Sequence, residues 1–170
     1  MTGAISTARS TFNNRLYAVD KASSTIVRLA PTGSSWGKPE PWLTSPSATV
    51  PTNPLFMTLD GSVYLATSSS VYKYYRGEQQ PFLFSVEPAL ESPRSFALAL
   101  HAPLLALVDA RNRIIVLNKG DDKKENGGRV QAQLIHAQWK NLQDAVIDAK
   151  TKIVTVLADG RIQQFTLPSF

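Results

Sequence analysis

The strongest constraint on how this chain folds is a motif that returns four times. Leu16 opens LYAVDKASSTIVRL, Val63 opens VYLATSSSVYKYY, Leu104 opens LLALVDARNRIIVL and Ile153 opens IVTVLADGRIQQF. Each copy is an apolar run, a short polar tip and a second apolar run, the pattern of a β-hairpin. The copies begin 47, 41 and 49 residues apart. Their flanks repeat as well. NPLFMTLDGS, PRSFALALHAP and NLQDAVIDAKTK precede the last three hairpins, and WGKPEPWLTSP, QQPFLFSV and RVQAQLIHA follow the first three. One unit therefore predicts an innermost strand, a hairpin of two strands and an outer strand, joined by turns rich in Gly, Asn, Asp, Pro and Ser.

A spacing of about 40–50 residues with four strands per unit is that of a β-propeller blade. The strands support it. In LLALVD, Leu105 and Leu107 fall on one face and Leu104, Ala106 and Val108 on the other, so both faces are apolar. A sandwich strand keeps one wet face and alternates, whereas a blade has a neighbour against each face. Ala18, Ala66 and Ala106 are small enough to let twisted sheets approach. A doubly wound parallel sheet needs helical crossovers, and no regular crossover pattern occurs. The expected fold is all-β: a single propeller domain over 1–170, with repeats at about 5–46, 53–88, 94–137 and 141–170.

Two places strain the pattern. WKNLQDAVIDAK puts Trp139, Leu142, Val146 and Ala149 at helical spacing. The repeat register instead aligns Ala145 and Ile147 with Met57 and Leu59, and with Leu98 and Leu100, which predicts a strand. The fourth unit has room for only three strands, and the first opens on ISTARSTF, which is weakly apolar for an innermost strand. A ring that ends so is completed by a strand from the opposite terminus, by further blades, or by a second copy in a dimer.

The hairpins resemble bacterial propeller repeats of the NHL and YVTN type, whose hairpin reads (V/L)YVxDxxNxRI. LYAVDKASSTIVRL and LLALVDARNRIIVL match best, with the aspartate at Asp20 and Asp109. The copy at Val63 departs with Thr67 at that position, and the last carries Asp159 and Gly160 in a tighter turn. The resemblance covers all four units and implies a sensory or scaffolding module within a larger bacterial protein. It names no ligand.

Composition narrows the chemistry. The chain has no cysteine, so disulfides, thiol catalysis and cysteine-bound zinc are excluded. Its net charge of +5 is scattered, without the basic, aromatic-interleaved stripe of a nucleic-acid binder, so nucleic acid is not an expected partner. No apolar run approaches the roughly 20 residues of a membrane span, and the N-terminus lacks the apolar middle of a signal peptide.

Site candidates follow from the repeat. Residues entering the innermost strands meet around a propeller's central channel. Asn53, Arg94 and Asn141 hold that place in units two to four, with Arg111, Trp139 and Asp144 nearby. This set offers donors to a protein or a small polar or anionic ligand. Asp20 and Asp109 read as caps that accept hydrogen bonds from turn amides. His101 and His136 stand alone, without further ligands at metal spacing. Asp121, Asp122 and Glu125, in NKGDDKKENGG, lack the alternation of a calcium loop. Trp36 and Trp42, among Pro39 and Pro41, read as closing a blade's edge. There is no nucleophile turn, carboxylate pair or phosphate loop. The expectation is a non-enzymatic binding module with no cofactor. The alternative is a metal-dependent hydrolase resembling the propeller lactonases, for which Asn53, Asn141 and Asp144 match the ligand set only in part.

Overall fold

A computed structural model describes residues 5–45, 48–120 and 127–168. Asp121, Asp122 and Glu125 lie outside the described residues. The chain divides into two compact units, Met1–Thr67 with Val71–Pro81 and Ser68–Ser70 with Phe82–Phe170. Every element among the described residues is a β-strand. No helix in them is long and apolar enough to cross a membrane.

The first unit holds two four-stranded antiparallel sheets. Sheet 1 runs β1 (Ile5–Phe12), β2 (Arg15–Asp20), β3 (Thr25–Leu29) and β6 (Glu40–Pro41), with the short ribbon β4 (Pro31–Thr32) and β5 (Ser35–Trp36) inserted before β6. Sheet 2 runs β7 (Phe56–Leu59), β8 (Ser62–Ala66), β9 (Val71–Tyr75) and β10 (Glu78–Gln80). ISTARSTF does form the innermost strand, pairing with β2 through an irregularity between Ile5 and Arg9. One face of sheet 1 packs Tyr17, Val19 and Ile26 against Met57, Leu59, Val63 and Leu65 of sheet 2. Trp42 meets Tyr17 edge to face at 5.9 Å. The outer strands are shorter than QQPFLFSV and WGKPEPWL predict. β10 stops before Pro81 and only Glu40–Pro41 pairs with β3, because proline removes the ladder's donor.

The second unit continues the pattern with sheet 3, β11 (Ser95–Leu98), β12 (Leu104–Val108), β13 (Arg113–Asn118) and β14 (Val130–Ile135). Sheet 4 is β15 (Leu142–Asp148), β16 (Ile153–Ala158) and β17 (Arg161–Thr166). The segment of helical spacing is thus β15, with Ala145 and Ile147 buried as the register predicts. Pairing with β16 satisfies its backbone, which outweighs a brief helical periodicity. The aligned Leu98 and Leu100 are less covered. Leu100 leaves its own sheet to donate its N–H to the Ile147 carbonyl at 2.7 Å and to accept from Ala149 at 3.0 Å.

In sheet 3 both faces of the central strands are buried: Leu105, Leu107, Ile115 and Leu117 on one, Ala106, Val108, Ile114 and Val116 on the other. The second set packs against Leu142, Ala145, Ile147, Val154 and Val156 of sheet 4. Sheet 4 differs from the two-faced expectation. β16 alternates between buried and half-buried residues, and the far face carries Val146, Thr155, Ile162 and Gln164. Its interleaved polar residues suit a face that meets water, whereas LLALV has none.

Candidate functional site

The third hairpin holds the most heavily bonded polar group in the second unit. Asp109 directly follows β12 and its carboxylate Oδ1 accepts the Arg111 N–H at 3.1 Å, the turn cap its position predicts. The sequence did not announce its second partner. Across the hairpin, Arg113 donates from Nε to Asp109 Oδ2 at 2.9 Å, and its Nη2 stands 2.8 Å from the same oxygen. The two side chains are 0% and 1% exposed. The remaining guanidinium donors reach Gln133 Oε1 at 2.6 Å and the carbonyls of Pro88 and Ala89 at 2.7 and 3.0 Å. Gln133 returns a bond to the Glu87 carbonyl at 2.9 Å. The pair therefore fastens the hairpin, β14 and the 87–91 loop together. Asp20, in the first hairpin, stands opposite Thr25 where Asp109 stands opposite Arg113. It caps only its own turn, and the Ser23 hydroxyl and Ala22 N–H hold its carboxyl below the usual value.

The channel-mouth candidates divide. Arg94 donates to the Leu142 carbonyl at 2.7 Å and to Asn112 Oδ1 at 3.3 Å, while Asn112 Oδ1 accepts the Leu142 N–H at 2.9 Å. Asp144 accepts the Ser95 hydroxyl and the Ala145 N–H. These contacts bring Arg94 and Asp144 together where β11 and β15 begin, but they join one sheet to the next. Exposed Asn141 precedes them with a φ of 48°, and Arg111 pairs at the surface with Glu91 at 3.1 Å. Asn53 is exposed in the first unit, ahead of buried Pro54.

Trp139 is placed differently. It is 6% exposed, its ring 5.4 Å from Phe165, while the His136 ring lies 4.5 Å from Phe165 and 5.9 Å from Trp139. These rings, with Ile135, Val154 and Pro168, line an open groove of about 340 Å³ in the second unit. The Trp139 Nε1 is buried with no acceptor among the described residues. Ile135 at its rim is 71% exposed. His136 accepts the Gln138 N–H on Nδ1 at 3.2 Å. Sequence reading weighed His136 only as a metal ligand and overlooked Phe165. The available signal was the room for only three strands in the last unit, whose third strand has no outer neighbour among the described residues.

His101, at a φ of 60°, has a carboxylate partner after all: its Nδ1 lies 2.9 Å from Asp148 Oδ1. That bond first, then the hydroxyl and amide of Thr151 and the amide of Lys150, lower the Asp148 carboxyl to about 2. Because the folded value lies below the ordinary 3.8, the stabilisation is full above about pH 4 and fades as pH falls toward 2. Urea midpoints of the parent and Asp148→Asn should therefore differ slightly at pH 7 and converge at pH 2. A gap that widens in acid would contradict this.

Four successive antiparallel sheets, each threaded from an innermost strand outward, are the blades of a β-propeller, and that is the class of this fold. Solved structures agree. The chain is similar to the RRP9 WD40 repeats (TM-score 0.60, 10% identity, covering 98% of this chain and 51% of that one). It is similar to the computationally designed Ika4 protein (0.60, 16%, 99% and 94%) and to a chain of the nidogen/laminin complex (0.59, 18%, 96% and 60%). It thus spans about half of the RRP9 chain and nearly all of Ika4. At such identities the likeness is one of fold. No protein-family model matches the chain, and no curated protein matches it in sequence.

Proposed function

We propose that this chain is a non-enzymatic β-propeller module, of the NHL and YVTN kind its hairpins resemble, and that it binds a protein partner through the groove lined by His136, Trp139 and Phe165. The observation that carries the reading is the meeting of three aromatic rings beside a largely exposed isoleucine in an open groove. Aromatic side chains, tryptophan above all, are enriched among the few residues that carry most of the binding energy where proteins meet. The polar candidates support a ligand site less well, since Arg94 and Asp144 already hold partners within the fold.

The test is selection of displayed peptides on the intact protein, followed by affinity measurement on two variants. Ile135→Asp puts a charge at the groove rim on an exposed side chain, so the fold should be unaffected. We expect affinity to fall by about tenfold or more, some 1.4 kcal/mol, with an unchanged melting temperature. Arg111→Ala, away from the groove, should leave affinity unchanged. Selected peptides that ignore Ile135→Asp and respond to Arg111→Ala would move the binding face to the polar group.

A further inference from the structure

Sheets 1, 2 and 3 each carry a fourth strand, β6, β10 and β14, against the outer side of their hairpin. Sheet 4 has three, so among the described residues nothing pairs with the outer edge of β17. The edge can be read residue by residue. Asp159 and Gly160, at φ 51° and 70°, form a two-residue turn that makes Ala158 and Arg161 a hydrogen-bonded pair. Bonded and non-bonded pairs alternate from there, and the Leu167 N–H donates to the Lys152 carbonyl at 2.8 Å in phase with this count. Arg161, Gln163 and Phe165 thus turn their backbone groups inward to β16. Ile162, Gln164 and Thr166 turn theirs outward.

We propose that β17 is an acceptor edge, which an extended segment of a partner protein joins as the fourth strand of sheet 4. This rests on the groove reading and deepens it. The occupant is a strand because three of the four sheets hold one at this place, antiparallel to the third strand. β14 on β13 supplies the template. In the repeat register Gln163 and Phe165 correspond to Ile115 and Leu117, which stand opposite Gln133 and Val130 of β14. Cross-strand neighbours share a face, so residues opposite Gln163 and Phe165 project on the side of the aromatic groove. Residues opposite Ile162 and Gln164 cover the other side, where Ile162 is 76% exposed. Residues 129–140 and 161–168 contain Arg129, Lys140 and Arg161 and no carboxylate. The partner segment is therefore apolar at the groove positions and acidic at its flanks.

The probe is a fluorescein-labelled peptide with VQAFLI between pairs of aspartates, titrated into the intact chain. We expect saturable anisotropy change at micromolar peptide. We also expect new hydrogen-exchange protection at the amides of Ile162, Gln164 and Thr166, while those of Gln163 and Phe165 are protected before peptide is added. Gln164→Pro deletes one outward donor without touching the ladder to β16, and should weaken binding about tenfold. A peptide N-methylated at alternate residues should do the same on the unaltered protein, so the test survives if the proline variant misfolds. Binding that withstands both changes overturns strand addition and leaves the groove as the site. No binding, or amides at 162, 164 and 166 already protected in the free protein, also overturns it, while the groove is judged separately by its displayed-peptide test.

Discussion

Arg113→Met should lower the stability of the second unit by about 3–5 kcal/mol, the cost of stranding a buried charge. Among the described residues the guanidinium is the sole cation bonded to Asp109, and both groups are shielded from water. Methionine fills much of the volume but leaves the carboxylate in a low-dielectric site with only the amides of Arg111 and Glu91 as company. It also releases the carbonyls of Pro88 and Ala89 and the amide oxygen of Gln133. At about 2–4 °C per kcal/mol for a chain of this size, the melting temperature should fall by roughly 10 °C. The double variant Asp109→Leu, Arg113→Met removes both charges and should recover part of the loss, because apolar side chains often replace a buried ion pair at little cost. Recovery stays incomplete, since the N–H groups of Arg111 and Glu91 lose their acceptor. Thermal and urea unfolding of the parent, both singles and the double give the coupling energy directly. A single-variant loss below about 1 kcal/mol would mean the pair is merely a surface-like contact.

That pair also marks how far the sequence could be read. Hairpin spacing, apolar runs on both faces and small alanines determined the sheets, because strand pairing and burial depend on residue type at a period the eye can follow. The register even overruled the helical spacing around Trp139, correctly. What it could not supply were distances across the chain. Asp109 and Arg113 stand four apart in the sequence, and only the hairpin's turn points the guanidinium back at the carboxylate. His101 found Asp148 because Leu100 leaves its own sheet to pair with β15, an irregularity no periodicity encodes. The aromatic groove was equally hidden. His136, Trp139 and Phe165 come from two separate strand ends, and each alone looks like an ordinary surface or core residue.

The second large effect concerns the first unit, where Gly77→Ala should cost about 2–5 kcal/mol. Arg76 and Gly77, at φ 51° and 83°, form the two-residue turn between β9 and β10, a geometry that favours glycine. The left-handed backbone alone costs alanine about 1–2 kcal/mol. A methyl group there also has no room, since its carbon would lie 2.6 Å from the Trp42 carbonyl oxygen and 2.8 Å from Thr44 Oγ1. The nearest obstacle is backbone, so relief requires moving the 42–44 segment and stretching the bond from the Thr44 N–H to the Gly77 carbonyl, now 2.9 Å. Such overpacking adds about 1–3 kcal/mol. Gly160→Ala is the control: it holds the same second place in the two-residue turn between β16 and β17, at a φ of 70°, but its added carbon would meet nothing within 4 Å. If crowding against Trp42 matters, Gly77→Ala must lose more than Gly160→Ala in urea unfolding, and hydrogen exchange must quicken at Thr44. Equal losses would assign the whole effect to backbone strain and remove the close approach of residues 42–44 as a reason for glycine at this turn.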